Sequence, residues 1–122
     1  MIVLGLKCHS HDTGAAIVSD EGGTLSVHAI SEARLNRRKH SFAYPLMSIA
    51  YCLDALGLKS LDQVDLVCID KHMERWPDAN SQHGFENAVR RYQPRYDDNH
   101  RWNYLAEQSM DFSQTAVQWV NH

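Results

Sequence analysis

Two polar clusters near the start of the chain carry the side chains best suited to chemistry. The first is His9-Ser-His11-Asp12-Thr13-Gly14, where small and hydroxyl residues favour a tight turn whose backbone N–H groups can point at a phosphate. Within it, His11 can donate a hydrogen bond or move a proton near neutral pH. The alternative is a polar loop in which Asp12 and Thr13 cap their own backbone, and spacing alone favours that alternative.

The second cluster is basic and consists of Arg34 and Arg37-Arg38-Lys39, followed by His40. The whole chain has 12 Lys+Arg against 15 Asp+Glu and a net charge of -3, so this patch stands out. Arg binds oxyanions in a bidentate way and Lys acts as a point charge, which suits a phosphate or an adenylate. A nucleic-acid patch has the same composition, and a solvated surface run is the commoner outcome for a lone basic cluster.

Short apolar runs on either side of these clusters predict the elements that hold them. Ile2 to Lys7, Ala15 to Ser19 and Thr24 to Ile30 are each short enough for a strand, and the third alternates with a period of two. Asp20-Glu-Gly-Gly23 supplies the residues of a hairpin turn between the last two. The first part of the chain is therefore predicted to form three consecutive antiparallel strands.

The rest of the chain alternates helix and strand. Residues 31–44 show no clean periodicity, but Pro45 begins an amphipathic helix that Gly57 ends. Val64 to Ile69 predicts an internal parallel strand, and Ala116 to Val120 predicts a fifth strand. Between them, residues 71–104 form an aromatic and arginine-rich excursion with a short helix expected over 85–92, and a further helix is possible between 102 and 112.

This element order predicts an α/β fold with a mixed sheet, arranged β-β-β-α-β-α-β. It is the order of the ribonuclease-H-like core found in actin-like ATPase domains. Order alone is an analogy at the level of the fold and assigns no chemistry.

Composition restricts the class of protein. The 122 residues match one domain of roughly 100–150 residues, and a hydrophobic fraction of 43% is too high for a disordered chain. The mildly acidic balance gives no support for nucleic-acid or membrane partners. The three cysteines are odd in number and lack a C-x-x-C spacing, so a reduced, cytoplasmic setting is expected.

Taken together, the segments resemble the N-terminus of the NodU/CmcH-type carbamoyltransferases. The resemblance is carried, in order and spacing, by Ile2-Val-Leu-Gly-Leu, His11-Asp-Thr-Gly-Ala-Ala, Ser31-Glu-Ala-Arg-Leu-Asn-Arg-Arg-Lys-His40 and the Pro45-led helix with Tyr51-Cys-Leu53. The family pattern has a His-Asp-Ala-Ser-Ala loop and a Glu-Glu-Arg-Phe-Thr-Arg-Lys-Lys-His stretch. Here Thr13-Gly14 replaces Ala-Ser, and Ala33 replaces the second acidic residue.

The resemblance implies an activity and roles for particular residues. Family members transfer a carbamoyl group from carbamoyl phosphate, through an ATP-derived carbamoyl-adenylate, to a hydroxyl of a small-molecule natural product. By that resemblance, His11 and Lys39 are catalytic, and the carbamoyl-adenylate phosphate is held by His11, Asp12, Arg38 and Lys39. It further implies an actin-like domain similar to the tRNA threonylcarbamoyltransferase subunit, with the C-terminal adenylate-forming domain absent from residues 1–122.

The resemblance also implies a divalent, iron-type metal beside ATP as a cofactor of the full-length enzyme. The family pattern has two metal-binding histidines four residues apart after a strand, and Trp119-Val-Asn-His122 is similar to the lead-in. His122 would be the first ligand, with the second beyond the chain. Because one protein ligand makes no defined site, the chain is expected to be an incomplete domain, inactive alone and able to self-associate through its unpaired last strand.

Two other functions remain open from the residues alone. One is a stand-alone anion- or nucleotide-binding module formed by the 37–39 cluster and the first loop, without catalysis. The other is a fragment of an actin-like ATPase, although the first loop lacks the Asp-x-Gly-Thr/Ser style of phosphate loop.

Overall fold

The computed structural model describes residues 1–8, 11–41, 44–71 and 116–121. The described elements are five strands, two α-helices and two 3-10 turns: β1 (Ile2–Lys7), β2 (Gly14–Ser19), β3 (Ser26–Ser31), β4 (Leu66–Lys71), β5 (Ala116–Asn121), α1 (Glu32–Asn36), α2 (Leu46–Ala55), and the turns Glu21–Gly23 and Leu61–Gln63. The helices expected over 85–92 and between 102 and 112 lie outside the described residues.

The five strands form one mixed sheet in the order β3-β2-β1-β4-β5. β1, β2 and β3 pair antiparallel, as predicted, and β4 and β5 run parallel to β1. The α/β class with a mixed sheet is therefore confirmed. These directions bring the carboxyl ends of β1, β3, β4 and β5 and the amino end of β2 to one edge of the sheet.

The core lies between one face of the sheet and α2. The buried residues form one cluster, whose sheet and helix members include Leu4, Leu6, Ile17, Val67, Ile69, Leu46, Ile49, Cys52 and Leu53. Alternate strand residues supply it because successive side chains of a strand point to opposite faces. The other face carries small side chains in register across four strands, since Gly5 pairs with Ala16 and Cys68, and Ala16 pairs with Ala29.

Helix α2 ends in a Schellman motif, which explains the predicted stop at Gly57. The Leu58 N–H donates to the Leu53 carbonyl at 2.9 Å, and the Gly57 N–H donates to the Asp54 carbonyl at 3.0 Å. Gly57 adopts a φ of +67°, a conformation that this motif requires and that glycine tolerates best.

The observed bounds differ from the predicted ones where short turns use the flanking residues. The turn Glu21–Gly23 precedes β3, which begins at Ser26 and not at Thr24, and the turn Leu61–Gln63 precedes β4, which begins at Leu66 and not at Val64. The region without clean periodicity contains α1, whose five residues are too few to display a helical period. None of the described helices is long and apolar enough to cross a membrane.

Candidate functional site

The two polar clusters meet at the edge of the sheet where β1 ends and β2 begins. The Thr13 N–H donates to the Ser41 carbonyl at 3.2 Å, and the Glu32 N–H donates to the Thr13 carbonyl at 2.9 Å. Thr13 is fully buried. These backbone hydrogen bonds hold the loop of His11 between the start of α1 and the end of the basic segment.

The Asp12 carboxylate connects the clusters directly through two histidines. Its Oδ2 lies 2.5 Å from Nδ1 of His11, and its Oδ1 lies 3.1 Å from Nδ1 of His40. The hydrogen bond with His11, followed in size by that with His40, lowers the pKa of Asp12 below its ordinary value, against the opposing effect of desolvation. Because an ionised carboxylate only accepts hydrogen bonds, the Nδ1 atoms that bind it carry the protons.

The backbone at this edge adopts an uncommon conformation. Within the described part of the chain, the non-glycine residues with positive φ are Asp12 (+58°), Arg37 (+61°) and His40 (+53°). Asp and His are among the residue types that tolerate this region. Such conformations concentrate at functional sites, where the surrounding structure holds them.

The cations of the second cluster are presented to solvent. Arg37 ends α1, and the Arg38 N–H donates to Oδ1 of Asn36 at 2.9 Å. The Asn36 amide also donates to the Ser41 hydroxyl at 2.8 Å, which closes the turn. Arg38 and Lys39 are exposed, and neither forms a salt bridge with another described residue, so both charges are available to an anion.

Glu32 fixes the segment that carries these cations. It is fully buried, and its carboxylate accepts hydrogen bonds from the Met47 N–H (3.2 Å), the Ser48 N–H (2.8 Å) and the Ser48 hydroxyl (2.7 Å). The unpaired N–H groups and the positive end of the α2 dipole both favour a carboxylate at this position. Glu32 therefore joins the start of α1 to the start of α2.

A cavity of about 850 Å³ adjoins the cluster on the small-residue face of the sheet. Its lining includes the small residues Gly5, Gly14, Ala16 and Ala29, the Cys68 side chain, and the charged residues Lys7, Asp12, Arg34 and Asp70. The volume lies within the range of small-molecule sites. Since Asp12 contacts both histidines and lines the cavity, the imidazole cluster stands at the cavity rim.

The structure describes four of the five predicted site residues. His11, Asp12, Arg38 and Lys39 lie at one edge of the sheet, whereas His122 lies outside the described residues. No ligand set for an iron-type metal at His122 is therefore described. Among described residues, one atom each from His11, Asp12 and His40 lies within 4.8 Å of the other two, a group able to hold a metal ion.

Sequence reasoning did not assign roles to His40, Glu32, Lys7 or Asp70, and it counted Arg34 only as one charge of the patch. His40 had one usable signal, its place directly after Lys39 in the stretch that carries the resemblance. No signal in the sequence indicated that Glu32 is buried, because an acidic residue after a strand is typically exposed. Asp70, whose Oδ1 accepts from the Cys8 N–H at 2.9 Å, reaches the site only through the pairing of β1 with β4.

Comparison with known proteins gives relatives of much greater length. The chain is 40% identical over 65 residues to an uncharacterized protein of Synechocystis sp., covering 53% of this chain and 10% of that protein. It is 42% identical over 57 residues to the nodulation protein NolNO of Sinorhizobium fredii, covering 47% and 8%. The matched part of the chain thus spans only about a tenth of the length of these curated relatives.

The chain is also similar to a solved structure and matches a protein family. YeaZ from Pseudomonas aeruginosa is similar with a TM-score of 0.46 and 16% identity, covering 98% of this chain and 42% of that one. Residues 2–121 match the family described as "Carbamoyltransferase N-terminus". Because that match includes nearly the whole sequence, this chain belongs to the carbamoyltransferase N-terminus family.

Proposed function

We propose that this chain forms part of an O-carbamoyltransferase, in which His11 and Lys39 act on a carbamoyl-adenylate made from carbamoyl phosphate and ATP. The acceptor is a hydroxyl of a small-molecule natural product. Family membership supports carbamoyl transfer in general. The observation that carries the finer proposal is the bridge from His11 through Asp12 to His40, the residue directly after Lys39.

The transfer needs a group that accepts a proton. The acceptor oxygen forms a bond to the carbamoyl carbon, the bond from that carbon to the phosphate oxygen breaks, and AMP leaves. The hydroxyl proton passes to the imidazole of His11. Since the ionised Asp12 engages Nδ1–H, the lone pair that takes the proton is on Nε2, which is the division of roles found when a carboxylate orients a histidine base.

The transfer also needs a cation near the phosphate. Arg38 and Lys39 are exposed, and among described residues neither is paired with a carboxylate, so both can contact the phosphate of the adenylate and then of the departing AMP. Charge-assisted hydrogen bonds of this kind are stronger than neutral ones and stabilise a leaving anion. The adjoining cavity, with its floor of small residues and Arg34 at its lining, offers room for the acceptor.

The complete protein carrying single substitutions tests this proposal. We expect His11→Ala to lower the transfer rate by about 10² to 10⁴, the usual contribution of general acid–base catalysis, and Lys39→Ala to lower it by about 10² or more. Lys59→Ala is the matched control, because Lys59 is exposed and lies before β4, at the opposite edge of the sheet. Near-normal transfer in either site variant would remove that residue from the site.

A second candidate is an anion- or nucleotide-binding module without catalysis, which the exposed Arg38 and Lys39 favour. It predicts that phosphate or AMP binds and that no carbamoyl group is ever transferred. We further propose that residues 1–122 alone turn over neither carbamoyl phosphate nor ATP, since the matched segments cover only 10% and 8% of the curated relatives. Turnover by the isolated chain would contradict this.

A further inference from the structure

We propose that His11, Asp12 and His40 form a binding site for one divalent first-row transition metal ion, separate from any site at His122. The donor set is two imidazole nitrogens and one carboxylate oxygen, which proteins use for zinc and for non-haem iron(II). One such atom from each residue lies within 4.8 Å of the other two. The proposal goes beyond carbamoyl transfer and does not rest on it.

The directions of the side chains support a shared ion. Both Nδ1 atoms point at the same carboxylate, at 2.5 Å for His11 and 3.1 Å for His40. The two rings stand perpendicular with centroids 6.2 Å apart, so they face the carboxylate from different sides. A metal would replace the protons now held between these atoms, because a neutral imidazole can carry its proton on Nε2 while Nδ1 binds the ion.

Only a small rearrangement is needed. Metal bonds of about 2.0–2.2 Å put neighbouring ligand atoms of a tetrahedral site about 3.3 Å apart. No pair of ligand atoms in the cluster starts more than 4.8 Å apart, and Nδ1 of His11 and Oδ2 of Asp12, now 2.5 Å apart, must move slightly away from each other. The side chains of His11 and His40 are 62% and 63% exposed, so rotation of these rings meets little packing.

The fold itself brings the ligands together, because they come from two segments far apart in sequence. Hydrogen bonding of Thr13 to Ser41 fixes one segment beside the other, and Asp12 and His40, both with a positive φ, are in contact across the two segments. Three protein ligands leave a coordination position open, as in catalytic metal sites. Because Asp12 also lines the cavity, that position is near a space large enough for a small molecule.

The neighbouring charges set the conditions of the test. Arg37, Arg38 and Lys39 adjoin His40 and repel a cation, which weakens binding most at low salt. Binding is therefore best measured at about 0.15 M ionic strength, where the Debye length is about 8 Å. A metal bound at His11 also occupies the residue proposed as a base, so the two roles belong to different states of the protein.

Titration of the tag-free 122-residue chain with Co²⁺, followed by its visible absorption and by calorimetry, tests the proposal. We expect one ion per chain, and at least tenfold weaker binding in His11→Ala, Asp12→Asn and His40→Asn, since loss of even an outer partner of a metal ligand typically costs about 10- to 100-fold. Asn is used at positions 12 and 40 because it tolerates positive φ. Far-UV circular dichroism confirms that each variant stays folded.

His28→Ala is the matched control and is expected to bind Co²⁺ as the parent chain does. His28 lies on β3 and pairs with Ile17 in the sheet, away from the cluster. The proposal is overturned if the parent chain binds no Co²⁺, if folded Asp12→Asn and His40→Asn variants bind it with unchanged affinity, or if His122→Ala removes the binding.

Discussion

At the scale of single residues, the candidate site depends most on Asp12. Its carboxylate joins His11 to His40 and lines the cavity. The hydrogen bond with His11 is the largest cause of its lowered pKa. Because the pKa of Asp12 is lowered, the stabilisation from its hydrogen bonds with the histidines is fully present above the ordinary pKa of an aspartate. It is lost as the pH falls through the lowered pKa. Both histidines are therefore oriented at neutral pH.

The three thiols provide a prediction at the same scale. Burial raises the pKa of Cys8 well above its ordinary value and raises the pKa of Cys52 to about 11, and a raised pKa leaves little reactive thiolate near pH 8. Cys68 is only half-buried and lines the cavity. We expect iodoacetamide at pH 8 to modify Cys68 first, as peptide mass spectrometry would show. Cys68→Ala should abolish the fast reaction and Cys52→Ala should leave it, and a fast reaction that survives in Cys68→Ala would contradict the assignment.

The two polar clusters, together with the family resemblance, indicated four candidate side chains, His11, Asp12, Arg38 and Lys39, and the fold brings all four to one edge of the sheet. The contact of Asp12 with His40 could not be predicted, because it depends on how the loop after β1 and the segment after α1 pair with each other. That pairing uses the backbone of Thr13 and Ser41, and backbone hydrogen bonds between distant loops leave no pattern in a sequence.

At the scale of secondary-structure elements, the buried Glu32 determines how α1 and α2 sit against each other. We expect Glu32→Ala to lower the free energy of unfolding by about 2–4 kcal/mol, because it leaves the Met47 and Ser48 donors without their acceptor. Glu32→Gln should lower the free energy of unfolding by less, because the side-chain amide oxygen can still accept a hydrogen bond from these donors. Urea denaturation measures both.

Glu21→Gln is the surface control for Glu32. Glu21 contacts the N-terminal ammonium in an exposed ion pair, and solvent screens such pairs so strongly that they add little to stability. A Glu32→Ala variant that unfolds at the same urea concentration as the parent chain would show that the buried carboxylate does not hold the two helices.

Two glycines of the sheet provide a matched pair. A Cβ at Gly14 would lie 2.8 Å from the Ile30 carbonyl oxygen and 3.2 Å from the Ser31 Cα, whereas a Cβ at Gly5 would lie 3.8 Å from the Ala16 carbonyl oxygen, an ordinary contact. We expect Gly14→Ala to destabilise the chain by about 1–3 kcal/mol through overpacking. Gly5→Ala should be neutral or stabilising by about 0.5–1 kcal/mol, because glycine is unfavourable within a strand.

Thermal denaturation of both glycine variants gives the comparison directly. Equal melting temperatures for the two would contradict the close approach of β2 to β3 at the site.

The elements themselves were predictable to different degrees for physical reasons. The bounds of β1 match the prediction because its apolar run is continuous, while the five-residue α1 is held by the hydrogen bond between Glu32 and Thr13 and not by a periodic apolar face.

At the scale of the whole molecule, the strand order creates the site. Parallel pairing of β1, β4 and β5 and antiparallel pairing of β1 with β2 collect the loop of His11, the basic segment, Asp70 and the end of β5 at one edge. Ligands in open α/β sheets bind outside the carboxyl ends of the strands, where the direction of the connections changes.

The most direct test measures two steps separately in the complete protein carrying Lys39→Ala. Pyrophosphate release from ATP in the presence of carbamoyl phosphate reports formation of the adenylate, and transfer of a ¹⁴C-carbamoyl label reports the step assigned to His11 and Lys39. We expect pyrophosphate release to persist while label transfer falls by about 10² or more, with Lys59→Ala unchanged in both. Label transfer at the parent rate in the Lys39→Ala protein would contradict the account.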